Sequence, residues 1–149
     1  MPSKYLYFIL ANIFLFGLNI QNVLANDCEI LTNALTNFSS NLKTQIGGAK
    51  NCCWQKGVAC NSEKQIVSLE FTDSYSVLGN KGIPSEIGNL LNLEKLNLSY
   101  NSMNGELPSS IGKLKNLKFL NLKDNHFEGY IPYEYKNLEN LETLYVFFL

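Results

Sequence analysis

A phrase of 24 residues recurs in this chain: LEKLNLSYNSMNGELPSSIGKLKN from Leu93, LKFLNLKDNHFEGYIPYEYKNLEN from Leu117, and a third copy, LETLYVFFL, from Leu141. Self-similarity at a fixed short period restricts the fold more than composition does. No unit of this size buries its own apolar side, so successive units must stack and share one continuous core. The outcome is a solenoid, which presents a long surface instead of building a pocket around reactive groups.

Within each unit the apolar positions fall into two sets. Leu93, Leu96 and Leu98 match Leu117, Leu120 and Leu122, then Leu141, Leu144 and Val146, with Ile66, Leu69 and Phe71 as an earlier copy. Alternation at the end of each set is the period of a short strand with one buried face. One strand per coil, always running the same way, predicts a parallel sheet. Ile83-Pro84, Leu107-Pro108 and Ile131-Pro132 recur at the same spacing. Proline has no N–H to give to a ladder, so each marks where the chain turns to the far side. There Ile87, Ile111 and Tyr135, then Leu90, Leu114 and Leu138, point inward and close the core. Asn101 and Asn125 follow the strands at one offset. Each amide is suited to satisfy backbone groups left unpaired where the coil bends, and stacked copies would link adjacent coils.

Three regions follow: a signal peptide over 1–25, a cysteine-paired cap over 26–64, and repeats over 65–149, about three in number with the last cut short. Lys4 precedes an apolar run from Tyr5 to Leu18, and Val23-Leu24-Ala25 offers small residues for cleavage after Ala25. The rival reading is a membrane anchor, which needs about 20 consecutive apolar residues; Asn19, Gln21 and Asn22 interrupt the run first. No later stretch is long or apolar enough to span a membrane, so the expected location is secreted, or the cell surface if a longer protein carries a span. The net charge is −1, from 12 basic and 13 acidic side chains intermixed. That balance has no basic stripe to capture nucleic acid or an anionic membrane.

In the cap, residues 27–42 place Leu31, Ala34, Leu35, Phe38 and Leu42 on one helical face, with Asp27 as the expected N-cap. TQIGGAKN then reads as a loop, and IVSLEF as the first strand. All four cysteines, Cys28, Cys52, Cys53 and Cys60, precede the repeats, and an even count in a secreted chain reads as disulfides. Pairing the adjacent Cys52 and Cys53 is sterically poor. Cys28–Cys52 with Cys53–Cys60 is favoured, and Cys28–Cys53 with Cys52–Cys60 is the alternative. The spacing does not resemble a zinc site, and no metal or cofactor is expected.

The repeat LxxLxLxxNxxxGxxPxxxxxLxN, preceded by CCWQKGVAC with Cys28 upstream, resembles the plant-type extracellular leucine-rich repeat and its N-terminal capping module. That combination recurs in polygalacturonase-inhibiting proteins and receptor-like kinase ectodomains. The resemblance runs from Asp27 to Leu149. It implies an α/β fold: a curved, right-handed leucine-rich repeat solenoid with a short parallel concave β-sheet, a second short strand or turn near the GxxP segment, and a disulfide-linked N-terminal cap. It also supports the favoured cysteine pairing, each bridge contributing about 2–4 kcal/mol. Trp54, with Leu31, Phe38 and Leu42, would cover the apolar end of the first coil.

Departures from the pattern matter. Leu69 to Pro84 spans 15 positions, against 12 from Leu96 to Pro108. Ser74 stands where asparagine belongs, Lys81 where glycine belongs, and Tyr135-Lys136 replaces the usual Ile-Gly pair. The last strand carries Tyr145, Val146, Phe147, Phe148 and Leu149, an apolar edge with unpaired backbone groups. The expectation is a piece of a longer protein, the alternative an end closed by self-association.

Side chains flanking the buried leucines face the concave side and form the expected ligand surface: Lys95, Asn97 and Ser99, Phe119, Asn121 and Lys123, and Thr143 and Tyr145, with Ser68, Glu70, Thr72 and Phe147 at its margins. Phe119 and Tyr145 are suited to anchor a partner. Asn37-Phe38-Ser39 and Asn97-Leu98-Ser99 are acceptor sequences for N-linked glycan. His126 is the only histidine, the acidic residues show no paired arrangement, and phosphate-binding glycine loops are missing, so no catalytic residue is assigned and the chain reads as non-enzymatic. The expected partner is a protein, peptide or glycan ligand bound by a secreted or receptor-like recognition module. The alternative is a secreted inhibitor of a cell-wall glycosidase such as polygalacturonase.

Overall fold

The computed structural model describes residues 26–36, 52–72 and 81–147. The expected signal peptide, Asn37, Phe38, Leu42, the glycine loop after them, Ser74 and Leu149 lie outside the described residues.

The cap begins with helix α1, Asp27–Thr36, whose Leu31, Ala34 and Leu35 are buried against the first coil. Asn26, not Asp27, is its N-cap: the Asn26 side chain accepts the N–H of Glu29 at 3.0 Å. Asp27 lies one residue inside, and its Oδ2 accepts the N–H of Ile66 at 2.7 Å, tying the helix to the repeat sheet. Burial raises the Asp27 pKa, and the Ile66 N–H partly opposes the rise. A carboxyl whose pKa is raised by folding weakens the fold as the pH climbs through the carboxylate range. Cys28–Cys52 and Cys53–Cys60 are the disulfides present, with Cα separations of 5.3 and 5.5 Å. Cys28, Cys52 and Cys53 crowd together, but as disulfides they hold no thiolate for a metal. Trp54 departs from expectation. It is 86% exposed on the short 3-10 helix Cys52–Trp54 and does not seal the coil.

A strand that the sequence did not reveal, β1 at Val58–Cys60, runs antiparallel to β2 at Ile66–Glu70. From β2 onward the pairing is parallel, through β3 at Lys95–Asn97, β5 at Phe119–Asn121 and β7 at Thr143–Tyr145, in the order β1-β2-β3-β5-β7. Leu69, Leu96, Leu120 and Leu144 stand in one row across these strands, the row the repeat predicted. The last position is the least covered, with Leu144 37% exposed on the open side of the stack. A second, two-stranded parallel sheet pairs β4 at Asn104–Glu106 with β6 at His126–Glu128.

Opposite the main sheet each unit forms a 3-10 helix: Ser85–Asn89, Ser109–Lys113 and Tyr133–Asn137. Ile87, Ile111 and Tyr135, with Leu90, Leu114 and Leu138, are buried from this side as the repeat requires. Met103 and Phe127 complete the core between the two sheets; both lie two residues after a ladder asparagine, an apolar recurrence visible in the sequence but not used above. The hydroxyl of Tyr135, where the other units have isoleucine, is buried without a partner among the described residues, and burial pushes its pKa up.

The asparagines link the coils. Asn101 Nδ2 donates to the carbonyls of Phe71, Leu98 and Ser99 at 2.7, 2.9 and 3.1 Å. One coil on, Asn125 Nδ2 donates to Leu98, Leu122 and Lys123 at 2.8, 3.0 and 3.3 Å, while its Oδ1 accepts the Met103 N–H at 3.1 Å. Each amide therefore bonds to its own coil and to the one before.

On the far side, glycine sets the spacing. A Cβ added at Gly88 would run into the Ser110 carbonyl of the next coil, and one at Gly112 into the Glu134 carbonyl. Gly105 differs: its φ is +77°, and nothing lies near an added Cβ. Gly112→Ala should lower unfolding free energy in urea by about 2–3 kcal/mol, since the obstacle is backbone. Gly105→Ala should cost about 1–2 kcal/mol from the left-handed conformation alone. A neutral Gly112→Ala would show that the coils are not in contact there.

Candidate ligand-binding face

Because side chains alternate along a strand, burying Leu96 and Leu120 turns Lys95 and Asn97, and Phe119 and Asn121, to the solvent face of the five-stranded sheet. The parallel register stacks Ser68, Lys95, Phe119 and Thr143 in one row and Glu70, Asn97, Asn121 and Tyr145 in the next. Diagonal contacts join these rows into a continuous run. Glu70 pairs with Lys95 at 2.8 Å. Lys95 Nζ stands 5.5 Å from the centroid of the Phe119 ring. That ring meets Tyr145 edge-on at 6.2 Å between centroids. Cation, carboxylate and two aromatic rings thus lie side by side across four strands.

The Lys95 and Glu70 side chains are 41% and 44% exposed, so water screens the ion pair and it adds little to stability. The aromatic contacts are of a kind worth about 0.5–1.5 kcal/mol. Tyr145 is 49% exposed. Lys123 sits at the rim, 3.6 Å from Asp124 and with its Nζ 5.8 Å from the Tyr100 ring centroid.

The asparagines of this face are part of the backbone scaffold. Asn97 Oδ1 accepts the Ser99 N–H at 3.2 Å and the Ser99 hydroxyl at 2.8 Å. Asn121 Oδ1 accepts the Lys123 N–H at 3.1 Å. Ser99 is only 2% exposed, with its hydroxyl spent on Asn97, so it offers a ligand far less than its neighbours do. Thr143 is half-buried, Glu70 and Thr72 are exposed, and Phe147 is exposed past the end of β7.

His126 opens strand β6 and is exposed on the second sheet opposite Asn104. Near it lies a feature sequence reasoning passed over, a shallow groove lined by Glu106, Pro108, Ser109, Tyr130, Pro132 and Tyr133. Its signal was the aromatic pair flanking Ile131-Pro132. Among the described residues, no helix is long and apolar enough to cross a membrane.

Two stretches, residues 92–114 and 116–138, match the family described as Leucine Rich Repeat. No curated protein sequence matches the chain. Among solved structures, a plant ice-binding protein is 27% identical with a TM-score of 0.66, over 78% of this chain and 38% of that one. The ectodomain of the receptor kinase SOBIR1 from Arabidopsis thaliana is 27% identical with a TM-score of 0.60, over 77% of this chain and 62% of its own. The ectodomain of the Arabidopsis receptor kinase HAESA, in complex with an N-terminal extended IDA peptide hormone ligand, is 29% identical with a TM-score of 0.64, over 83% of this chain and 20% of that one. The chain thus spans less than two thirds of the length of each. With its strand ladder, buried asparagines and matched repeats, this chain has the leucine-rich repeat fold, and it is similar to the ectodomains of plant receptor kinases.

Proposed function

We propose that this chain is a secreted or cell-surface recognition module, without enzymatic activity, that binds a peptide or protein through the solvent face of its main sheet. The observation that carries this reading is the run Glu70–Lys95–Phe119–Tyr145. These side chains are not needed to fill the core, yet they are held in fixed order by a sheet whose other face is buried. Such a surface offers exposed aromatic anchors, the residue type in which binding energy concentrates at protein interfaces, with a charge pair beside them. The peptide held by the HAESA ectodomain supports a peptide class of ligand on this scaffold. Inhibition of a glycosidase would use the same exposed face, and a polygalacturonase assay separates that activity from peptide binding.

The test begins with peptides selected from a random library on the secreted wild-type protein. A variant carrying Phe119→Ala, Lys123→Ala and Tyr145→Ala is expected to bind them at least about tenfold more weakly, or about 1.4 kcal/mol. It should keep the wild-type circular dichroism spectrum, whereas Leu120→Ala in the core should cost about 2–5 kcal/mol of stability. Unchanged affinity in the folded triple variant would place the ligand elsewhere.

A further inference from the structure

We infer that Asn97 is an N-glycosylation site, and that its glycan rises from the solvent face of the main sheet over its neighbours, Lys95 among them, and confines the ligand to the part of that face it leaves open. The inference rests on the secretory reading above. Its local basis is how the Asn97-Leu98-Ser99 sequence folds. Leu98 is buried, which turns Asn97 to the solvent face, where it is only partly buried. Both hydrogen bonds from Ser99 go to the carbonyl end of the amide, Oδ1. The Nδ2 end makes no hydrogen bond among the described residues.

That division suits the chemistry. In N-glycosylation the amide nitrogen displaces a lipid diphosphate from the anomeric carbon of an oligosaccharide donor. The N–C bond forms as the C–O bond breaks, one amide proton is lost, and the lipid diphosphate leaves. The product keeps Oδ1 and one N–H, so both Ser99 bonds survive and the strand need not rearrange. Asn121 is the control built into the chain. It occupies the same row one coil on and bonds in the same way, to the Lys123 N–H. Its third residue is lysine, which supplies no hydroxyl, so the sequence singles out one of two equivalent asparagines.

The consequence is positional. Asn97 stands directly between Glu70 and Asn121 on neighbouring strands. A branched oligosaccharide there overhangs Glu70, Lys95 and Asn121 alike, and Tyr145 lies two strands away at the margin of the covered area.

The experiment expresses the full chain in plant cells twice, once with residues 1–25 and once with a foreign signal sequence in their place. Secreted protein is deglycosylated enzymatically in heavy-oxygen water, digested with trypsin and sequenced by mass spectrometry. The Leu96–Lys113 peptide is expected to carry the heavy-oxygen label at Asn97, and the unmodified form should be lost from samples not treated with the glycosidase. Phe119–Lys123, which holds Asn121, should be unlabelled. Asn97→Gln should abolish the label, and Ser99→Thr should retain it. Secreted protein with Asn97 bare overturns the proposal. Label at Asn97 only behind the foreign signal upholds the site and overturns the reading of residues 1–25 as a secretory signal. Label with equal access of an amine-reactive reagent to Lys95 in wild type and Asn97→Gln overturns the shielding.

Discussion

A coil that bends sharply after a short strand leaves backbone carbonyls directed into an apolar interior. Each buried carbonyl without a donor costs about 1–3 kcal/mol, and every coil creates the same problem at the same place. Asn101 and Asn125 answer it. Their amide nitrogens reach carbonyls of their own coil and of the preceding one, with Leu98 accepting from both. The strands are only three residues long from β3 onward, too short to fix a register alone. The asparagines make the register repeat. The leucine row, the solvent face and the position of Asn97 all depend on that repetition.

Most of the fold was legible because period and geometry coincide. A leucine that recurs every 24 residues has to occupy the same place in every coil, so the row Leu96–Leu120–Leu144 could be read before any coordinate was known. Strand β1 could not. Val58–Cys60 is three residues of no distinctive pattern, and it is a strand only because Ile66–Glu70 lies antiparallel beside it. Asp27 illustrates a different limit. Asn26 and Asp27 are both good helix caps, and the choice between them is made 39 residues away by the Ile66 N–H. The family resemblance implied that Trp54 covers the apolar end of the first coil, whereas the cap buries smaller side chains from α1 and leaves the indole outside.

The candidate face was legible by alternation, but its internal order was not. Alternation placed Lys95, Asn97, Phe119, Asn121 and Tyr145 together. It did not show that Lys95 bridges a carboxylate and a ring, or that Ser99 is withdrawn to serve Asn97. Those contacts, diagonal for Glu70–Lys95, between row neighbours for Lys95–Phe119 and local for Ser99, are set by rotamers rather than by period. The far side shows the same economy, since the Ile-Gly pairs exist to let one coil's carbonyl approach the next. The third unit has Lys136 at that glycine position, with its Nζ 3.6 Å from the centroid of the Tyr133 ring. Its 3-10 helix therefore presents an aromatic outer side, unlike the two before it.

Native-state hydrogen exchange at the Met103 amide tests the asparagine ladder most directly. That N–H points to a side-chain oxygen of the next coil, Asn125 Oδ1, and not to a strand partner. The expected result is protection equal to that of the Leu98 and Leu122 amides, which bond to the carbonyls of Asn121 and Tyr145 across the main sheet. Exchange of Met103 at the rate of an open loop, with Leu98 still protected, would mean that the coils are held by the sheet alone and that the asparagines do not join them.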